Sequence, residues 1–230
     1  MTRTLLIGAL AIGLAACGSE ADTTAVATDG DVQTAGTLVD APDIASGTYT
    51  IDASHSRMEF KVRHLGISTV SGTFQDVAGT VTVGDGIGSL QATATIDAST
   101  ISTDNDDRDD HLRSPDFFDV AQYPEITFQS TELRAGADGD YVLVGDLTMH
   151  GVTRPVELDV EYVGTATSPQ GVDKVAFTAE GEINRTDWGL TWNAALEAGG
   201  VVVSEEVELE LDVQADLQAA DAIEDASAEA

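Results

Sequence analysis

The sequence predicts an all-β domain of antiparallel strands, and three observations support this fold class. From about residue 48 onward, apolar and polar residues alternate with period two through most of the chain. Clusters of Gly, Asp and Pro separate the alternating segments, as turns do between strands. One short segment near residues 107–120 has its apolar residues close to helical spacing instead. We therefore expect one sheet-built domain that carries a single helical insertion.

The alternation gives each strand one apolar face and one polar face. In residues 57–63, Met58, Phe60 and Val62 alternate with charged residues. The same pattern selects a further set of apolar residues: Ala92, Ala94, Ile96, Val156, Leu158, Val160, Tyr162, Val207, Leu209, Leu211 and Val213. Their neighbours in the last two of these segments are mostly Glu and Asp, which face water. One wet face and one dry face are typical of antiparallel strands around a single interior.

The remaining strands are predicted from shorter alternating runs. They lie near residues 70–76, 79–84, 125–134, 140–149 and 174–185. Turn signals fall between strands at residues 84–86, 136–140, 150–151 and 168–171. About eight strands of this kind form either a closed barrel or a two-sheet sandwich, and alternation alone does not distinguish them. A barrel of eight strands has room for one small ligand, whereas the alternative is an interior filled by its own side chains.

The helical insertion combines an acidic start with an apolar plug. Leu112, Phe117 and Phe118 are its apolar residues, and Tyr123-Pro124 ends it. The acidic run 104–110 lacks the glycine and the final glutamate of a calcium-binding loop, and Arg108 interrupts it. We interpret the run as a solvated loop that supplies a helix N-cap, because acids are favourable near a helix start.

The ends of the chain lie outside the predicted strands. Residues 1–16 have a basic start and a short apolar run, as in a signal peptide, and Leu14-Ala15-Ala16-Cys17 resembles the bacterial lipoprotein signal. Residues 17–46 are expected to form an acylated Cys17 and a disordered acidic tether, because residues 18–46 have no base and no aromatic residue. The barrel domain is predicted at 47–217, and 218–230 is an acidic tail.

The charge is strongly negative, with 41 acids against 10 bases. Such a surface repels nucleic acid, so binding driven by counterion release is not expected. Acid-rich surfaces suit proteins that work in high salt, where screening reduces self-repulsion, and they also serve simple solubility. The single cysteine excludes an internal disulfide and a cysteine-rich metal site.

A series of short motifs, in register over about 165 residues, resembles the YceI-like family. They are Ile51-Asp52, His55-Ser56, His64-Leu65-Gly66-Ile67-Ser68, Val70-Ser71-Gly72-Thr73-Phe74, Ile96-Asp97-Ala98-Ser99, Asp110-His111-Leu112-Arg113-Ser114, Phe117-Phe118-Asp119-Val120, Tyr123-Pro124, Phe128-Gln129-Ser130, Gly145-Asp146-Leu147-Thr148, Gly151-Val152-Thr153, Arg185-Thr186-Asp187-Trp188-Gly189 and Ser204-Glu205-Glu206-Val207. Trp188 stands where the family usually has phenylalanine. The resemblance implies an eight-stranded lipocalin-like barrel associated with binding polyisoprenoid chains.

With the barrel implied, the inward register predicts which residues line its lumen. The predicted ligand-binding residues are Met58, Phe60, Val62, His64, Ala94, Ile96, Phe128, Leu158, Val160, Phe177, Ile183, Arg185, Trp188, Leu209 and Leu211. His64 follows Phe60 and Val62 in register, so it is expected at the rim of the lumen. Trp188 and Trp192 are expected at the same end, either as packing or as an apolar lip.

Arg185 is the most specific candidate. It follows Ile183 in the inward register, so its guanidinium is expected at a strand end inside the barrel. There it would either bind a phosphate or carboxylate head group or form a buried pair with Asp187 or another carboxylate. We favour the structural pair.

No constellation of residues indicates catalysis. His55, His64, His111 and His150 are far apart and lack the spacing of paired metal ligands. The sequence has no nucleophile elbow and no glycine-rich phosphate loop. Each histidine is therefore interpreted as a structural hydrogen-bonding residue.

These observations predict a non-catalytic protein that binds, sequesters or transports a long-chain apolar lipid without a cofactor or metal. We expect it in the cell envelope, anchored to a bacterial membrane through acylated Cys17 and facing the periplasm or the exterior. Its partners are then a polyisoprenoid or similar lipid and the membrane, with a homodimer left open. The alternatives are a membrane-displayed interaction module with a filled barrel and, less favoured, a hydrolase.

Overall fold

The computed structural model describes residues 42–137, 139–195 and 201–219. The signal peptide, Cys17, most of the tether and most of the acidic tail lie outside these residues. The strands are β1 (Gly47–Ile51), β2 (Arg57–His64), β3 (Ser68–Phe74), β4 (Val77–Gly84), β5 (Gly86–Asp97), β6 (Ile101–Ser102), β7 (Glu125–Ala135), β8 (Tyr141–Met149), β9 (Val152–Thr167), β10 (Asp173–Asn184) and β11 (Val203–Leu217). The helix α1 spans Asp106–Arg113, and 3₁₀ turns span Ala98–Thr100 and Arg185–Trp188.

The strands form a closed antiparallel barrel. Their order is β1-β4-β5-β7-β8-β9-β10-β11, and β1 closes the ring by pairing with β11. At the other end of β11, β2 takes the place of β1 and leads through β3 to β6. The barrel therefore has eight lines of strand, three of which are interrupted: β1/β2, β3/β4 and β5/β6. The predicted eight-stranded barrel is confirmed.

We call the end where β1 pairs with Leu217 the lower end, and the end where His64 pairs with Val203 the upper end. The lower end is densely packed. Tyr49, Val83 and Val175 are each only 1 % exposed, and the Tyr49 hydroxyl donates to the Ala45 carbonyl at 2.8 Å. These side chains form the floor of the barrel.

The upper end is covered by the predicted insertion. Helix α1 begins after Asn105, whose side chain accepts from Arg108 N at 2.9 Å, so the acidic run supplies the N-cap as expected. Asp109 is buried and accepts from the backbone N–H of Thr103 at 2.9 Å and from the Thr103 hydroxyl. Arg113 donates to the carbonyls of Ser99 and Ile101, both at 2.8 Å. Polar clamps thus hold α1 against the segment that leaves β5.

Candidate functional site

The barrel encloses two adjacent cavities. The upper cavity has a volume of about 290 Å³ and the lower cavity about 190 Å³. Five residues form walls of both: Phe60, Phe74, Met149, Ile183 and Leu209. Ligand sites in proteins commonly have volumes of roughly 300–1,000 Å³, so the pair together is large enough for a small ligand.

The lower cavity is lined almost entirely by apolar side chains. It includes the predicted residues Met58, Phe60, Ala94, Ile96, Phe128, Leu158, Val160, Phe177, Ile183, Leu209 and Leu211. Small side chains create its space: Ala94 pairs with Phe128, and Ala179 pairs with Val160. The alternation in the sequence is what directs these side chains inward, because successive strand residues point to opposite faces.

Two glycines, one on β3 and one on β8, make room for two aromatic side chains in the cavity wall. A Cβ at Gly72 would clash with the ring of Phe60, its partner across β2 and β3. A Cβ at Gly145 would clash in the same way with the ring of Phe128. Each ring lies over a glycine backbone, a close approach that only glycine permits. This packing keeps both rings against the wall.

The upper cavity is roofed by the insertion and by the segment after β10. Leu112, Phe117, Phe118 and Trp192 contribute apolar surface. His111 packs edge-on against Phe117 and Trp192, with ring centroids 5.1 and 4.8 Å apart, and its Nε2 lies 3.0 Å from Asp116 Oδ2. The insertion predicted as a plug therefore forms the lid of the cavity.

The polar residues of the upper cavity are mainly basic. Two arginines and two histidines line it, namely Arg108, Arg185, His64 and His111, together with Thr103. No Asp or Glu lies among the described lining residues. His64, the last residue of β2, is among these lining residues. In a chain with 41 acids and 10 bases, this cavity has the opposite sign of charge to the surface.

Arg185 corrects one prediction. Its side chain is only 4 % exposed, but it does not pair with Asp187 or with any other described carboxylate. Its Nε donates to the Ser204 carbonyl at 2.9 Å, and its Nη1 donates to the Leu190 carbonyl. Its Nη2 is buried and has no hydrogen-bond partner. Burial lowers the pKa of Arg185 because it penalises the charged form, and the nearby Glu205 charge opposes this shift.

Trp188 corrects a second prediction, because it lines neither cavity. It is 2 % exposed and packs in a satellite core with Ile126, Met149 and Val156. Its indole N–H donates to the Leu147 carbonyl at 3.1 Å, and its own carbonyl lies 3.1 Å from His150 Nδ1. Trp188 thus closes a corner, whereas Trp192 lines the upper cavity as expected.

The other histidines have structural surroundings in the described part of the chain. His55 is exposed and contacts Asp52 Oδ2 at 2.7 Å, and His150 occupies the turn after β8. Among the described residues, no group of three or more His, Cys, Asp or Glu is placed to hold a metal ion. No described helix has the length and apolar character needed to cross a membrane.

Several lining residues were missed by the sequence analysis. Phe74 and Met149 form walls of both cavities, and Leu190 lines the upper one. Phe74 shares the register of Val70 on β3, so the alternation could have identified it. Leu190 lies in an irregular segment, where period-two reasoning does not apply.

Comparison with known proteins agrees with this architecture. Residues 49–215 match the YceI-like domain. A UPF0312 protein of Staphylococcus aureus strain N315 is 39% identical over 165 residues, covering 70% of this chain and 93% of the relative. The Campylobacter jejuni YCEI protein is 28% identical, with a TM-score of 0.57 over 68% of this chain and 90% of that one. A polyisoprenoid binding domain from Saccharophagus degradans has the same fold at 18% identity, with a TM-score of 0.56 over 76% of this chain and all of that one (100%).

Proposed function

Since the chain belongs to the YceI-like family, we propose that it binds and carries a long-chain apolar lipid, such as a polyisoprenoid, inside its barrel. The observation that carries this proposal is the pair of adjacent cavities with shared apolar walls. The similarity in fold to the polyisoprenoid binding domain from Saccharophagus degradans supports the same ligand class.

Burial of the chain supplies the affinity in this proposal. Each buried CH₂ contributes roughly 0.8 kcal/mol, so a chain that spans both cavities gains several kcal/mol without any polar contact. The wall from Leu158 and Phe177 up to Leu209 is continuous in apolar character. The interaction module with a filled barrel is less well supported, because the cavities leave unfilled volume along this wall.

No chemical step is part of the proposal. The upper cavity has basic and aromatic residues, but no serine or cysteine is among its described lining residues, so its histidines have no such nucleophile beside them. We therefore propose binding, sequestration or transport without catalysis. A hydrolase would require that changing a single histidine abolish an activity.

We also propose that the protein is anchored in the cell envelope through an acylated Cys17. The proposal rests on Leu14-Ala15-Ala16-Cys17 and on the acidic segment that follows. Several acyl chains give membrane binding that one chain cannot give. Replacing the cysteine, Cys17→Ser, should leave the protein unacylated and in the aqueous phase after detergent partitioning. Unchanged mass and partitioning in this variant would contradict the anchor.

The lipid proposal is tested by narrowing the lower cavity. Ala94 lines it, so Ala94→Phe should reduce the lipid recovered by solvent extraction and mass spectrometry by at least about tenfold. Because the new ring enters empty volume, the loss of stability should be small. In a filled core the same change would overpack, at a cost of about 1–3 kcal/mol.

Thr95→Phe is the matched control, since Thr95 is exposed on the outer face of the same strand. Its lipid content should equal that of the wild type. If the wild type takes up no added isoprenoid, and Ala94→Phe lowers the melting temperature, the barrel is filled and the carrier proposal is wrong.

A further inference from the structure

The upper cavity contains charged side chains, and these place a requirement on the head group of the ligand that the apolar walls do not. A saturated or isoprenoid chain needs only apolar contacts, yet this cavity contains a buried guanidinium. A buried charge is destabilised by the loss of its hydration unless a partner of opposite sign is present. Among the described residues, Arg185 has no such partner within ion-pair distance.

The four basic residues of the cavity differ in their burial and in the hydrogen bonds that they already make. Arg108 donates to Thr103 Oγ1 at 2.7 Å and to the Thr103 carbonyl at 2.6 Å. His111 contacts Asp116 and is partly exposed, and His64 lies at the rim. Only Arg185 combines deep burial with a nitrogen that has no hydrogen-bond partner.

The hydrogen bonds of Arg185 restrict the head group that it accepts. Its Nε and Nη1 are directed to the backbone carbonyls of Ser204 and Leu190. The side-on fork formed by Nε and Nη2 is therefore not free, and the N–H groups of Nη2, which have no described partner, are the donors available to a ligand oxygen. The Phe117 ring, whose centroid lies 6.0 Å from the guanidinium carbon, borders the same position. A compact head of charge −1 matches one guanidinium, whereas a diphosphate would bring further charge toward aromatic walls.

We propose that the lipid bound in this barrel is an acidic amphiphile whose single carboxylate pairs with Arg185 Nη2. This rests on the proposed function, because the chain of the amphiphile occupies the two apolar cavities. The carboxylate supplies the missing counter-charge, and the lid residues Phe117 and Trp192 close over the head. Although the surface of the protein is acidic, the ionisable residues among the described lining of this cavity are all basic, so the head meets no like charge there.

The test compares three ligands with one C20 isoprenoid chain: geranylgeranoic acid, geranylgeraniol and geranylgeranyl diphosphate. Each is titrated calorimetrically into delipidated full-length protein at neutral pH. The acid should bind at least about tenfold more tightly than the alcohol, which is about 1.4 kcal/mol. It should also bind more tightly than the diphosphate. Arg185→Gln should remove the preference for the acid while changing the affinity for the alcohol by less than about threefold.

Arg154→Gln is the matched control, because it removes the same charge from an exposed arginine that lines neither cavity. This variant should keep the preference. If Arg185→Gln does not fold, the affinities of the wild type for the three ligands still test the proposal. Equal affinity for the acid and the alcohol would overturn the pairing of the carboxylate with Arg185, while lipid binding itself would remain supported. Tighter binding of the diphosphate, or a preference that survives in Arg185→Gln, overturns it as well. Failure of all three ligands to bind overturns the proposed function itself.

Discussion

The two ends of the barrel are closed in different ways. At the lower end, β1 and β11 pair directly, and the buried side chains of Tyr49, Val83 and Val175 fill the interior of the barrel. At the upper end, a helix and two irregular segments cover a cavity, and Asp109 and Arg113 fasten the helix by hydrogen bonds. Dense packing makes an end rigid, since core side chains interdigitate with few voids. In the proposed function, the lower end therefore maintains the fold and the upper end is where the ligand enters.

The largest expected effect comes from a matched pair of aromatic truncations. Tyr49 is fully buried and lines neither cavity, so Tyr49→Ala should leave a new hole and cost about 3–5 kcal/mol of unfolding free energy. Phe117 is also buried but borders the upper cavity, so it already lacks contacts on one side. Phe117→Ala should therefore cost clearly less while it weakens ligand binding. Chemical denaturation of both variants measures the difference, and equal costs would remove the distinction between the two ends.

Removing the hydrogen bonds that hold α1 in place should have an intermediate effect on the free energy of unfolding. In Asp109→Ala the buried N–H of Thr103 loses its acceptor, at a cost of about 1–3 kcal/mol. Hydrogen exchange should show faster opening of residues 103–113 with no change in β1 and β4. The control is Asp110→Ala, because Asp110 is exposed and pairs only with Arg113 at 3.1 Å. Faster exchange throughout the barrel in Asp109→Ala would show that the lid is part of the core.

The smallest expected effect on the free energy of unfolding comes from replacing Asp52, which lies in the segment between β1 and β2. Asp52 accepts from Ser54 Oγ at 2.6 Å, and this hydrogen bond, assisted by His55, lowers the pKa of the Asp52 carboxyl well below its ordinary range. A lowered folded-state pKa means that the stabilisation is complete above the unfolded pKa of about 3.9 and is lost as pH falls below it.

The wild type should therefore be more stable than Asp52→Asn by a constant amount from pH 7 to about pH 5. That difference should shrink as pH falls further, and urea denaturation at each pH measures it. A difference that stays constant down to pH 3 would show that the Asp52 charge does not tie β1/β2 to the rest of the barrel.

The inward register is the part of the site that the sequence predicted well. Phe60, Ala94 and Leu158 were assigned to the interior from alternation, and each lines a cavity. Alternation is a local property of the chain, because successive side chains of a strand point to opposite faces. The same reasoning failed at the corner after β10, where Trp188 turns away from the lumen and Trp192 turns toward it. The backbone there is a 3₁₀ turn, so period two no longer applies.

The partners of Arg185 likewise could not be predicted from local patterns in the sequence. Its inward position followed from the register, but its partners did not, because the carbonyls of Leu190 and Ser204 belong to segments that only the folded chain brings to it. Asp187 belongs to the same 3₁₀ turn as Arg185, yet it forms no ion pair with the guanidinium. Long-range neighbours of a buried charge cannot be read from local spacing.

Local patterns in the sequence predicted most of the strands, their inward faces, the N-capped helix and the excess of acid on the surface, since each depends on residues close together in the chain. The folded structure was needed to show which strands close the ring, that β1 and β2 both pair with β11, and that unfilled volume remains between Phe60 and the lid. These properties depend on pairings between residues more than a hundred positions apart and on how their volumes fit. Neither is a property of any local pattern.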